Sequence, residues 1–265
     1  MRNRRALSNI TYAIFCFFIS FWSYSYFLWQ ISYTSTDAFF WCQMLMFGAI
    51  FVPAAYFHFV ATLIGNYNNP NIKRGIYLAY SLASVFVILN FTPLMIQDVR
   101  PRLKFAFWPT AGPLYIYFLI YFIAYSILGC FFLWKEIKKS SGIRRNQFFY
   151  VFIGSVLGYL GGCTNFPLWY DIKLYPFGNI LSSFYVGLVG YSILRYRLMD
   201  IKVAITRTGI FIAVYTLILG LPFAFAGFLR DRLMNIIGPQ WWMLPLGLMA
   251  VLATVGPFIY IFLES

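Results

Sequence analysis

Few side chains in this sequence are of types and spacings that do chemistry. Its 1 histidine, His58, stands in Phe57-His58-Phe59 inside an apolar run. An ionisable group there is costly, and it marks either a site that senses protons or holds a ligand, or a neutral ring hydrogen-bonded to a neighbouring backbone group or hydroxyl. The neutral ring is the more ordinary of the two. All 7 carboxylates, Asp37, Asp98, Glu136, Asp171, Asp200, Asp231 and Glu264, fall in loops or at the ends of apolar runs. They supply none of the mid-membrane charge on which ion-coupled carriers rely. Intramembrane proteolysis needs paired aspartates, Ser with His, or His-Glu-x-x-His, and none of these is present; Ser182-Ser183 has no histidine partner. A retinal protein needs a lysine in a late span, and the last apolar runs have none. The 4 cysteines, Cys16, Cys42, Cys130 and Cys163, lie in apolar runs without Cys-x-x-Cys spacing and read as small buried hydrophobes. No metal and no cofactor is expected.

Polar groups set in apolar surroundings are the better candidates for a site. Gln43, Asn90 and Thr92, together with Thr164-Asn165-Phe166-Pro167, fall in the outer halves of apolar runs. Groups of this kind orient a mostly apolar ligand in a pocket open to the outside or to the outer leaflet, with Trp41, Trp169 and Tyr175 as walls. The structural alternative is that Asn165 and Pro167 only end a helix and that the aromatic residues are interface anchors. Gly154, Gly158 and Gly162 recur every four residues and so share one helix face, where backbones can approach closely. That face suits packing inside a bundle or a dimer seam.

The elements that must position these residues are membrane helices. With 62% hydrophobic, 23% aromatic and only 10% charged residues, the chain is far from a soluble domain, in which about a quarter of residues are charged. Apolar runs near the length that crosses roughly 30 Å of hydrocarbon recur at about 9–32, 39–64, 75–96, 113–134, 146–169, 175–194, 208–229 and 241–263. A closed barrel would show period-two alternation, which is missing. The fold class expected is therefore all-α, a polytopic helical membrane protein of about eight spans, and the segment from Asp98 to Pro109 reads as a basic, aromatic loop at headgroup level. The first run is too long for a signal-peptide core and lacks a cleavage site, so it reads as a signal anchor.

The net charge of +13 does not point to nucleic acid, because the basic residues sit in short loops between spans, where topology and anionic headgroups account for them. In alternating loops, fourteen of the 20 Lys and Arg fall on the side of the N-terminus and six on the other. The positive-inside rule then puts both termini in the cytoplasm of a plasma-membrane protein, with Arg100, Arg102 and Lys104 as the dissenting cluster.

Several short motifs carry a family likeness: Gly161-Gly162-Cys163-Thr164-Asn165-Phe166-Pro167, Tyr175-Pro176-Phe177-Gly178, and Arg195-Tyr196-Arg197-Leu198-Met199-Asp200-Ile201 after an apolar span. Together they resemble the N-terminal seven-helix membrane region of bacterial sensor histidine kinases. The resemblance implies a sensor region at 9–201 lacking the family's first helix; the residues themselves add a basic N-terminus at 1–8 and two further spans within 202–265 leading to a cytoplasmic C-terminus. It implies the input module of a two-component system, dimeric, embedded in the bilayer, and passing a signal from a small hydrophobic or peptide ligand to a cytoplasmic kinase domain in a longer chain. Phosphoryl transfer by this chain itself is not expected, since there is no phosphoacceptor-histidine motif and no Asp-x-Gly-x-Gly or Gly-x-Gly-x-Gly box. Arg195, Arg197 and Asp200 stand where a signal-carrying elbow would lie, or else form a plain stop-transfer boundary. The competing reading is a small-molecule transporter or channel.

Overall fold

The computed structural model describes residues 2–196. Within them lie α1 (Arg2–Gln30), α2 (Ser35–Leu63), α3 (Pro70–Asn90), β1 (Ile96–Arg102), β2 (Phe105–Ala111), α4 (Tyr115–Lys139), α5 (Gly142–Cys163), the single turn α6 (Phe166–Trp169) and α7 (Asn179–Tyr196). The helices α1 to α5 supply 5 segments long and apolar enough to cross a membrane. The last two expected spans lie outside the described residues.

The chain is mostly helical but not all-α. The third span, expected to reach residue 96, stops at Asn90, and an antiparallel two-stranded hairpin replaces the expected loop. Pro93 lacks the N–H a helix needs and disfavours helical geometry in the residue before it. Thr92 meanwhile donates its hydroxyl to the Leu89 carbonyl at 2.6 Å, closing the helix end. The hairpin pairs Ile96 with Ala111 and Arg100 with Trp108, and turns at Leu103, whose φ of 53° is left-handed. The fifth expected span is also broken, at Thr164 and Asn165, before the single turn that carries Pro167. The sixth begins later than expected, at Asn179, because Tyr175-Pro176-Phe177-Gly178 forms a turn ahead of it.

The central post is α2. Of its most apolar window 78% is buried, against 17% for α1, as suits a helix that is apolar all round. Its start is fixed by Thr34, whose hydroxyl oxygen accepts the Asp37 N–H at 3.1 Å. One side of α2 receives α1, and Gly48 sets their separation: a Cβ there would stand 2.9 Å from the Trp22 amide nitrogen. On the other sides α3 and α4 are tied in by Tyr121, whose hydroxyl donates to the carbonyls of Ile50 (3.1 Å) and Ala79 (3.3 Å). Gly129 of α4 gives way to the ring of Tyr56. The second closely packed pair is α5 with α7, where Gly154 and Gly158 lie against Tyr185.

The hairpin closes one end of the bundle. Trp108 is fully buried, 4.8 Å from the Trp29 ring and 4.7 Å from that of Phe105. The Trp29 indole N–H donates to the Phe107 carbonyl at 3.0 Å. Arg102 anchors the hairpin to α6: its guanidinium donates to the Leu168 carbonyl and, at 3.3 Å, to the Thr110 hydroxyl, and lies 3.8 Å from the Asp171 carboxylate. The exposed Arg100–Asp98 pair at 2.7 Å adds little. Partial burial works against the Asp98 carboxylate, yet Thr110 and Arg100 outweigh it and hold the carboxyl below its ordinary value. Lys73, Arg74, Lys135, Lys138, Lys139, Arg144, Arg145 and Arg195 lie at the opposite end.

Gly48→Leu drives a side chain into α1 backbone, with no flexible neighbour to yield. Thermal unfolding in detergent is expected to show a loss of about 1–3 kcal/mol, and an unchanged midpoint would contradict the close α1–α2 contact.

Candidate functional site

Between the α1–α2 pair and the α5–α7 pair the helices do not close, and a cavity of about 110 Å³ remains, or about 880 Å³ of empty space when its open side is included. One face of α1 forms a wall through Phe15, Ile19, Trp22, Tyr26 and Trp29, at alternating steps of four and three residues. Such steps keep side chains on one helix face. Opposite them, Ser155, Gly158 and Gly162 present a nearly bare stretch of α5. Gly162 is the emptiest point, since a Cβ added there meets nothing within 4 Å. Tyr115 and Trp169 stack at 4.4 Å and 10° at the hairpin end.

The polar groups of the cavity gather at one corner. Asn165, buried at 7% exposure, sits at the break between α5 and α6, so its side chain is free to leave the helix. Its amide donates to the Asn179 side-chain oxygen at 2.6 Å and to the Gly162 carbonyl at 3.0 Å. Asn179 donates in turn to the Tyr26 hydroxyl at 2.9 Å and to the Asn165 side-chain oxygen at 3.2 Å. Three elements, α1, the α5–α6 junction and the first residue of α7, thus meet in one hydrogen-bonded cluster. Three tyrosines of the cavity wall, Tyr115, Tyr159 and Tyr185, have hydroxyls that are buried and make no hydrogen bond among the described residues. No charged side chain lines the cavity among the described residues.

The structure separates most of the residues the sequence grouped into a pocket. Of Asn165, Asn90, Thr164, Gln43 and His58, only Asn165 lines the cavity. Asn90 and Gln43 pair with each other instead: the Asn90 amide donates to the Gln43 backbone carbonyl at 2.8 Å, and the Gln43 amide to that of Asn90 at 3.4 Å. Thr164 is spent on the backbone, donating to Gly161 at 2.7 Å and accepting the Gly178 N–H at 3.2 Å. His58 lies apart, stacked on Tyr67 at 5.5 Å with Nδ1 3.4 Å from the Tyr80 hydroxyl. Among the expected walls Trp169 lines the cavity, while Trp41 and Tyr175 do not. Gly154 and Gly158 face α7 of the same chain rather than open surface. Arg195 is exposed at the end of α7, and Arg197 and Asp200 lie outside the described residues.

Sequence reasoning missed Tyr26, Asn179, Tyr115, Tyr159 and Tyr185. The spacing of the α1 face from Phe15 to Trp29 was a signal available for Tyr26. Asn179 follows directly on the Tyr-Pro-Phe-Gly motif. Nothing in the sequence singles out Tyr115 or Tyr185 among 21 tyrosines.

An aromatic, uncharged cavity with amide and phenol groups can bind and orient a molecule; it offers no nucleophile with a base and no acid pair. Among the described residues no three His, Cys, Asp or Glu side chains gather as metal ligands. These features define a multi-pass helical membrane protein with an interior cavity and no evident catalytic centre among the described residues. Residues 1–202 match the family described as the N-terminal 7TM region of histidine kinase, and the chain belongs to that family. No curated protein and no solved structure matches it.

Replacing Asn179 by Leu strands the polar atoms of Asn165 and Tyr26 and is expected to cost about 1–3 kcal/mol in thermal unfolding. Because the two amides share one cluster, the Asn165→Leu, Asn179→Leu double variant should lose less than the sum of the single losses. Strict additivity would show that they act separately.

Proposed function

We propose that this chain is the input module of a two-component histidine kinase, and that the cavity between its two helix pairs is where the stimulus acts. The observation that carries this reading is the cavity itself, bounded by helices from both pairs and bridged by the Tyr26, Asn165 and Asn179 cluster. A ligand there touches both pairs at once, so it can favour one relative position of the pairs over another, which is what a ligand must do to shift an equilibrium. Family membership supports the coupling of this movement to a kinase region.

In this proposal the chain spans the membrane about eight times and its basic end is cytoplasmic, since Lys and Arg concentrate opposite the hairpin. The α7 end, with Arg195 and the Arg197 and Asp200 that follow, then carries movement toward a cytoplasmic kinase region of a longer polypeptide, working as a dimer. A transporter reading gains no support from the cavity, which lacks a charged residue among the described ones and is covered at one end by the hairpin.

Fusion to a histidine kinase cytoplasmic region tests this. Gly162→Phe fills open space in the cavity and is expected to lock autophosphorylation at a level shifted by about fivefold or more. Phe27→Ala, on the exposed side of α1, should leave it unchanged. Equal effects of both, or none from either, would remove the cavity from signalling. His58→Gln, lying outside the cavity, is likewise expected to leave output unaltered; a shifted pH response in that variant would restore His58 as a sensor.

A further inference from the structure

We propose that the groove where α4 turns into α5 holds one anionic phospholipid, its phosphate between Lys138 and Arg145 and its acyl chains on the aromatic floor beside them. This site is separate from the cavity and stands whether or not the cavity receives the stimulus.

The groove lies at the basic end of the bundle and is lined by Trp134, Ile137, Lys138, Ser140, Arg145 and Phe149. Trp134 and Lys138 are four residues apart on α4, as Arg145 and Phe149 are on α5, so each pair shares one helix face. Each helix thus brings one ring and one cation, with the ring on the bilayer side. The apolar surface continues inward from the rings. On α4, Phe131 and Ile127 follow at steps of three and four residues and are exposed at 54% and 63%; on α5, Phe152 lies 5.5 Å from the Trp134 ring. In both helices the change from charged to apolar residues falls at the groove, between Lys135 and Trp134 on one side and between Arg145 and Phe148 on the other. That is the depth at which a lipid phosphate lies.

Charge favours an anion. From Lys135 to Arg145 the chain carries Lys135, Lys138, Lys139, Arg144 and Arg145 against the single carboxylate of Glu136, which does not line the groove. Lys138 and Arg145 make no ion pair among the described residues. The Lys138 ammonium is held 5.0 Å from the centre of the Trp134 ring, which keeps it at the groove. Arg145 stands near the start of α5, where a helix disfavours positive charge, and no acidic residue shares that first turn. Its charge is therefore not explained by its own helix.

The apolar floor selects the source of the anion. A phosphate dissolved in water would meet both cations but leave Trp134 and Phe149, each 44% exposed, uncovered. A zwitterionic lipid would bring its own ammonium to two like charges. An anionic phospholipid uses both layers: its phosphate oxygens accept from the Arg145 guanidinium and the Lys138 ammonium, and its chains cover the rings.

Native mass spectrometry of the full chain, released from detergent micelles supplied with dioleoyl phosphatidylglycerol or dioleoyl phosphatidylcholine, reads the affinity for the first lipid bound. Phosphatidylglycerol is expected to bind about tenfold or more tightly than phosphatidylcholine. Lys138→Gln with Arg145→Gln should remove that preference, whereas Lys135→Gln with Lys139→Gln, which takes away the same charge outside the groove, should leave it within about twofold. Wherever the groove variant unfolds earlier, Arg145→Gln against Lys139→Gln repeats the comparison with single changes. Equal losses in the groove variant and its control would reduce the preference to the general positive potential of this end and overturn the site. Equal affinity of the unaltered chain for the two lipids would do the same. Displacement of phosphatidylglycerol by inorganic phosphate or by its chain-free headgroup, as readily as by the intact lipid, would show a site for an anion from water and overturn the lipid.

Discussion

Tyr26, Asn165 and Asn179 tie three parts of the bundle together through hydrogen bonds, where α4 and the ring contacts Phe15–Tyr185 and Tyr56–Tyr159 tie the same helix pairs by packing. In hydrocarbon, apolar helix faces gain nothing from hiding against one another, because lipid tails are as apolar as leucine. What remains is close backbone packing and hydrogen bonds between spans. Close packing at glycines is used at Gly48 between α1 and α2, at Gly129 between α4 and α2, and at Gly154 and Gly158 between α5 and α7. None of these glycine contacts joins the two pairs. The cluster joins them by hydrogen bonds, with one side chain from α1, one from the break after α5 and one from the start of α7, and α4, packed on both α2 and α5, joins them by packing.

The cavity follows from that arrangement. Two tight pairs that meet at the polar corner and at the ring contacts Phe15–Tyr185 and Tyr56–Tyr159 leave a gap where large aromatic residues of α1 face glycines of α5. The hairpin then fixes which end of the gap is shut. Trp108 fills the space above Trp29, and Arg102 fastens the hairpin to the turn that carries Trp169. Within the Arg100 to Lys104 cluster, which runs against the charge bias of the other loops, Arg102 is a largely enclosed structural tie between the hairpin and α6.

Much of this was legible in the sequence, and the limits have physical causes. Span length depends on bilayer thickness, so the apolar runs marked α1 to α5 closely. Helix ends depend on single residues, and the third span ended early because Pro93 and Thr92 act locally where hydropathy stays high. The hairpin was hidden because its turn lacks the usual Asn-Gly or Asp-Gly signature, placing Leu103 in a left-handed conformation instead. Polar residues in spans were recognisable as hydrogen-bonding groups, but their partners were not: Asn90 and Gln43 find each other at 47 residues' separation, and Asn165 finds Tyr26 at 139. Pairing across that distance is set by packing, which hydropathy does not encode. The tyrosines of the cavity escaped notice because an aromatic-rich chain offers no contrast.

The account rests on the gap between the helix pairs being a real, lipid-accessible interior surface. Carbene labelling in nanodiscs with an adamantyl diazirine, followed by residue-level mass spectrometry, examines it most directly. Labels on Ile19, Trp22 and Gly162, facing the gap, in addition to those on lipid-facing Phe17, Tyr24 and Phe27, are the predicted result. Labels confined to the lipid-facing set, with the gap-facing residues untouched, would contradict it.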